Sequence, residues 1–311
     1  MFRGLLAPQF LVLYAYVASG LYVHYRGKVR HKLRRQLLDH STLLAPYNAL
    51  IYLTSAVPST PLLDASQFPE LEPLRANWKV IRHEARLLAE GAHIRASTNH
   101  DDVAFQSFFR RGWKRFYLKW YDDVLPSAQA LCPRTVALVQ SIPSINAALF
   151  ALLPPHSRLG EHRDPFAGSL RYHLGLITPN SDACRIWVDG AIYSWRDGEA
   201  VLFDETFVHS ARNDTDETRI ILFCDVARPL RFRAMQAVNR FVTRHVVKAT
   251  AAQNTEAEKV GIVNRAWSAL HRVVERGRRL QASHRALYNV IKYSVIGGGL
   301  YLVFVRPLLY R

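Results

Sequence analysis

Leu170-Arg171-Tyr172-His173-Leu174-Gly175-Leu176-Ile177-Thr178, broken by Pro179-Asn180-Ser181-Asp182 and followed by Cys184-Arg185-Ile186-Trp187-Val188 and Asp189-Gly190, sets the texture of the middle of this chain. Similar short apolar or alternating runs lie on either side: Ile145 to Leu153 before it, Glu199 to Phe203 and Thr218 to Val226 after it, with Asp197-Gly198 as a further turn. Pro, Asn, Asp and Gly at the ends of such runs supply the backbone angles of tight turns. Several short strands in close succession predict an antiparallel sandwich or barrel. Upstream, from about 68 to 125, the pattern is helical: Phe68-Pro69-Glu70-Leu71-Glu72-Pro73-Leu74 opens a segment in which Trp78, Ile81, Ala85 and Leu88 recur with polar residues between them. This predicts supporting helices.

The chain has 311 residues, 49% of them hydrophobic, enough for one domain of ordinary size with appendages. Its net charge of +16 sits at the ends. Residues 1–36 hold seven Lys/Arg and no acid, and residues 228–311 hold sixteen against three acids, which leaves 37–227 at −4. Both basic blocks adjoin apolar stretches, so an anionic membrane surface is the expected partner and nucleic acid is not. Cys132, Cys184 and Cys224 share no short ligand spacing and read as free core thiols. No Gly-rich phosphate loop, dinucleotide fingerprint or Gly-x-Ser-x-Gly elbow occurs, which argues against phosphoryl transfer and esterase chemistry.

Between Arg3 and Arg26 there is no Lys, Arg, Asp or Glu, and the run Leu5 to Val23 has the length of one bilayer crossing. It reads as a transmembrane helix or signal anchor. Arg26, Lys28, Arg30, Lys32, Arg34 and Arg35 follow at once and place the next domain on the cytoplasmic side. Near the other end, Trp267, Leu270, Val273 and Val274 at helical spacing, with Arg265, Arg272, Arg276, Arg278 and Arg279 supplying charge, predict a basic amphipathic helix. Tyr293 to Val305 is apolar but short, and is interrupted by Gly297-Gly298-Gly299. Three parts result: a membrane anchor and basic flank at 1–36, a catalytic domain at 37–230, and a basic helical tail with a hydrophobic segment at 231–311.

Three features in the β region carry chemistry. His162 and Asp164, in Glu161-His162-Arg163-Asp164-Pro165, point to one side of an extended segment. His209 follows the strand Val201-Leu202-Phe203 and can bring a second imidazole from a neighbouring strand. Two His and one carboxylate on one face of a metal leave positions open for a bidentate co-substrate and O2, as in non-haem iron(II) oxygenases. Arg219, ten residues after His209, opens the apolar strand Ile220-Ile221-Leu222-Phe223. A buried guanidinium there needs a carboxylate, and the distal carboxylate of 2-oxoglutarate satisfies that need. Trp187, Trp195 and Phe207 are candidates to wall the pocket.

Gly160-Glu161-His162-Arg163-Asp164-Pro165, Leu170 to Leu176, Trp195-Arg196-Asp197-Gly198-Glu199 through Asp204, and Phe207-Val208-His209 together resemble the aspartyl/asparaginyl β-hydroxylase family. Phe68 to Leu74 and Gly112-Trp113-Lys114 are similar to its upstream segments, so the likeness runs over about 65–230. The resemblance implies a double-stranded β-helix, or jelly roll, so that the expected fold is a mainly β catalytic core with supporting helices and membrane helices at both ends. It implies Fe(II) on His162 and His209, the distal carboxylate of 2-oxoglutarate on Arg219, and its other end near Arg171 and His173. At Asp164 the two readings part: the spacing makes it the third metal ligand, while animal members resemble this segment but carry Gly there.

The implied reaction couples oxidative decarboxylation of 2-oxoglutarate to hydroxylation of an unactivated carbon by O2. Hydrophobic ends around a lone catalytic domain resemble the family's bacterial lipid A hydroxylases. The expectation is hydroxylation of carbon 2 of a secondary acyl chain of lipid A, by a domain facing the cytoplasm on the bacterial inner membrane. The alternatives are a peptidyl aspartyl/asparaginyl β-hydroxylase and a non-catalytic membrane-bound scaffold.

Overall fold

A computed structural model describes residues 7–97, 102, 103 and 105–309 of the chain. Its centre is a pair of antiparallel sheets. The strands, in chain order, are β1 (Leu62–Leu63), β2 (Lys114–Trp120), β3 (Asp123–Val124), β4 (Ile145–Leu153), β5 (Ser157–His162), β6 (Ser169–Ile177), β7 (Cys184–Val188), β8 (Ala191–Ser194), β9 (Ala200–Phe203), β10 (His209–Asn213) and β11 (Arg219–Ala227). One sheet has the order β1-β9-β6-β11-β4-β2-β3 and the other β5-β10-β7-β8. From β4 onward the chain crosses between the sheets at almost every connection, and β11 returns to lie between β4 and β6. That winding is the expected jelly roll.

Burial follows from the two layers. Strands β6 and β11 are buried at nearly every position, because one face meets the smaller sheet and the other is covered. Strand β7 alternates buried and half-buried residues, as an outer sheet with one wet face must. The helix Trp78–Glu90 buries Ile81, Ala85 and Leu88. On the same stripe Glu84 is also buried, where its carboxylate accepts from the backbone N–H groups of Arg134 and Thr135 at the start of the helix Pro133–Gln140. A carboxylate at a helix N-terminus satisfies donors that the helix itself cannot.

The helical reading of 68–125 holds to Glu90 and fails from Lys114, where β2 begins. Arg115-Phe116-Tyr117-Leu118 are buried on both faces between β4 and covering chain, and aromatic residues in such a place favour the pleated backbone. All three cysteines are free and buried, as expected.

At the amino end, α1 (Pro8–Tyr25) occupies most of the apolar run and packs against α2 (Ala45–Thr54). Leu5 and Leu6, where the expected span begins, lie outside the described residues. Strand β11 leads into α3 (Arg233–Val242), and the basic tail forms α4 (Ile262–Ser283) and α5 (Arg285–Leu300). Among the described residues, one helix is long and apolar enough to cross a bilayer by length and composition: Arg285–Val305, 21 residues with no buried position. The helix begins eight residues before the short apolar run at 293, and its Gly triplet sits within it without breaking it.

Leu222 is fully buried at the centre of β11. Leu222→Ala is expected to lower stability by about 2–5 kcal/mol in chemical unfolding. Ile192→Ala, at a position 56% exposed, is expected to change it by less than about 0.5 kcal/mol.

Candidate metal and co-substrate site

Strand pairing brings the two expected imidazoles together. His162 ends β5 and His209 begins β10, and the two are direct partners across the antiparallel ladder. Their ring centres are 4.1 Å apart. In each, Nδ1 faces a carbonyl two residues earlier in the chain: Gly160 at 2.7 Å and Phe207 at 3.0 Å. A neutral imidazole in that position carries its proton on Nδ1, which leaves the Nε2 lone pair for a metal. Burial lowers the pKa of both rings, that of His209 to about 3, with His162 adding to the effect on it.

Asp164 completes the cluster. Its Oδ1 is 3.9 Å from His162 Nε2, and one donor atom each from His162, Asp164 and His209 lie within 4.8 Å of one another. Burial works against the carboxylate, but Arg171 and the two imidazoles outweigh it and hold Asp164 down to about 2. Two neutral imidazoles and an ionised carboxylate make the donor set expected of an iron(II) oxygenase site. Asp164 is thus close enough to both imidazoles to share one metal with them.

Arg171 stands opposite Asp225 in the β6–β11 register. It donates from Nε to Asp225 Oδ1 at 2.9 Å and from Nη2 to Asp164 Oδ2 at 2.7 Å, with Glu205 4.0 Å away. Its contacts within the chain are thus with carboxylates, and it also lines the cavity that holds His173 and Arg219. Tyr121 Oη donates to Asp225 and Ser169 Oγ donates to Glu205. Burial raises the Glu205 carboxyl, against the pull of Arg171, to about 8.

Arg219 is 2% exposed, with its guanidinium 4.3 Å from the centre of the Trp195 ring. Its Nε is buried without a hydrogen-bond partner, and burial lowers its pKa to about 10. His173, on β6, likewise has both ring nitrogens buried and unpartnered, and its ring stacks on Phe223 at 5.2 Å. Buried donors left open in this way are costly unless a ligand satisfies them. Arg219, His173 and the three-donor cluster line one cavity, so the residues present fit iron with a dicarboxylate co-substrate.

Of the three aromatics expected as walls, Trp195 lines this cavity. Trp187 is half-buried beside Arg185, and Phe207 lies under Arg26. The sequence reading missed Phe105, Phe108 and Trp113, which close one side, with the Phe108 ring edge-on to His162 at 4.7 Å. It also missed Ile221, Phe223 and Asp225. Two-residue steps from Arg219 would have found all three, since alternate residues of a strand share a face. Glu205 carries no such signal.

A model of the family described as aspartyl/asparaginyl beta-hydroxylase matches residues 75–229. The chain is 36% identical over 174 residues to the ornithine lipid ester-linked acyl 2-hydroxylase of Rhizobium tropici, covering 55% of this chain and 62% of that protein. It is 25% identical over 167 residues to human aspartyl/asparaginyl beta-hydroxylase, covering 51% of this chain and 21% of the human protein. The chain thus spans less than two thirds of the length of these relatives. Among solved structures it is similar to a prolyl-4-hydroxylase of Pseudomonas putida at a TM-score of 0.33 and 16% identity, over 50% of this chain and 87% of that one. With the matching segment spanning both imidazoles, Asp164 and Arg219, the chain belongs to the aspartyl/asparaginyl β-hydroxylase family of hydroxylases.

Proposed function

We propose that this protein is an Fe(II)- and 2-oxoglutarate-dependent membrane lipid hydroxylase that places a hydroxyl on carbon 2 of an acyl chain. The observation that carries the chemistry is the pairing of a His-Asp-His cluster with a buried Arg219 that has no carboxylate partner among the described residues, in one cavity. Iron with 2-oxoglutarate and O2 supplies the oxidising power when bound. His162, His209 and Asp164 would hold the metal. Arg171 keeps Asp164 ionised and turned inward. Arg219, over the Trp195 ring, takes the distal carboxylate in two charge-assisted hydrogen bonds, and His173 offers a ring nitrogen nearby. Phe105, Phe108 and Trp113 keep water from that side of the cavity.

The substrate class rests on different observations. The Rhizobium relative is by name an acyl 2-hydroxylase of a lipid. An exposed apolar helix at Arg285–Val305 and a basic helix before it suit a membrane location, at the cytoplasmic face by the charge rule. Lipid A, on a secondary acyl chain, is the substrate favoured by the sequence reading, and ornithine lipid is favoured by the relative.

Expression in a host lacking a native lipid hydroxylase, followed by mass spectrometry of both lipid classes, separates them. A gain of one oxygen on an acyl chain is expected, absent with His162→Ala. No gain in either lipid, with 2-oxoglutarate still consumed, would overturn the lipid assignment and favour a peptidyl substrate. No consumption at all would favour the scaffold.

His209→Ala and His162→Ala are expected to abolish iron binding and turnover together. Arg219→Ala should leave iron binding intact and raise the 2-oxoglutarate KM by about tenfold or more for each charge-assisted hydrogen bond lost. An unchanged KM in that variant would remove Arg219 from the co-substrate site.

Asp164 is tested by Asp164→Gly, the residue the animal relatives resemble at this place. If the carboxylate is the third ligand, iron affinity should fall by at least about tenfold, the scale of losing even an outer-shell partner of a metal site. Wild-type affinity would show that two imidazoles suffice.

A further inference from the structure

Residues 23–40, from the last turn of α1 onward, wrap the two segments that carry the site. Arg163 sits between His162 and Asp164 in the chain but does not line the cavity. Its side chain runs the other way, 1% exposed, and Nη1 donates to the carbonyl of Val23 in the last turn of α1 at 2.8 Å. The Arg163 carbonyl lies 3.1 Å from His40 Nε2, and Arg35 donates to the carbonyl of Glu161. The segment before His209 is held too. Arg26 pairs with Asp204 and donates to Thr206 Oγ1 at 2.8 Å, while the Val29 N–H donates to Asp189, whose own N–H donates to the Val208 carbonyl.

The energetics of Arg163 single it out. A buried guanidinium is costly unless well bonded, and here Nε has no partner. What it meets is the negative end of a helix, whose last carbonyls lack partners within the helix. In an extended backbone, fixing one side chain outward fixes its two neighbours inward. Those neighbours are His162 and Asp164.

We propose that Arg163 is a positioning residue for the metal ligands. Docked on the carbonyl end of α1, it holds the 161–164 backbone so that His162 and Asp164 converge, which makes residues 23–40 part of the site and not only a link to a membrane segment. The inference rests on the metal site proposed above.

The test uses the full-length protein in detergent, titrated with Co(II) and followed by visible absorption. Arg163→Ala is expected to weaken Co(II) binding by about ten- to a hundredfold, the usual scale for groups that orient metal ligands, and Arg163→Lys to restore part of it. Arg35→Ala removes a contact of an exposed side chain and should weaken binding by about a few-fold, while its exposed neighbour Arg34→Ala should not. Wild-type Co(II) affinity in a natively folded Arg163→Ala overturns the proposal. Should that variant fail to fold, unchanged affinity in Arg35→Ala overturns it. His209→Ala, run alongside, separates the two levels: if it binds Co(II) normally the metal site itself is wrong, whereas its loss beside an unaffected Arg163→Ala removes only the positioning role.

Discussion

One guanidinium holds the interior of this jelly roll in order. Arg171 bonds Asp164 and Asp225 and approaches Glu205, all buried or nearly so. Three carboxylates this close repel one another, and without a cation between them most would bind protons. With Arg171 in place Asp164 stays ionised, while Glu205, bonded by Ser169 but with Oε2 buried and unpartnered, is pushed up to about 8. The cost of burying such a cluster is met only if its geometry is kept. Register keeps it: Arg171 faces Asp225 directly across β6 and β11, and a slip of one residue would turn either side chain out of the barrel.

The same reasoning explains the unpartnered groups. Among the described residues Arg219 has aromatic company and no carboxylate. A dicarboxylate co-substrate would neutralise it at one end. Iron(II), held by Asp164 and the other carboxylate, would leave the metal end neutral as well. The buried charges would thus close with both ligands bound, and without them the guanidinium of Arg219 has no carboxylate partner among the described residues. A binding protein of purely structural role has no physical reason to retain that cost.

How much of this could be read from residues alone depends on period. Strand texture from 145 onward showed the sandwich, and the spacing of the four candidates is visible because His162, His209 and Arg219 stand at strand ends and Asp164 lies two residues beyond one. Lys114 to Trp120 escaped, since a strand buried on both faces does not alternate and resembles a helix segment over so short a length. Arg171 was legible as a site residue but its bond to Asp225 was not, because Asp225 becomes its partner only through β6–β11 pairing, fifty-four residues apart in the chain. Arg163 and residues 23–40 were illegible for the same reason: the contact from Arg163 to Val23 spans 140 residues.

That long contact bears on why a catalytic domain carries hydrophobic ends. The far end of α1 meets the chain's other apolar helix, with Phe10 and Phe304 rings 5.7 Å apart, while its near end is fastened by Arg163 and Arg26. On the lipid-hydroxylase reading proposed above, a helix tied at one end to the segments carrying His162 and His209 and at the other to an apolar helix would set the depth of the site relative to a bilayer. A flexible tether would only raise the local concentration of enzyme near lipid. A fixed depth would do more for the proposed reaction, because carbon 2 of an acyl chain lies at a defined distance below the head group, and selecting one methylene among many equivalent ones is a problem of position before it is one of recognition.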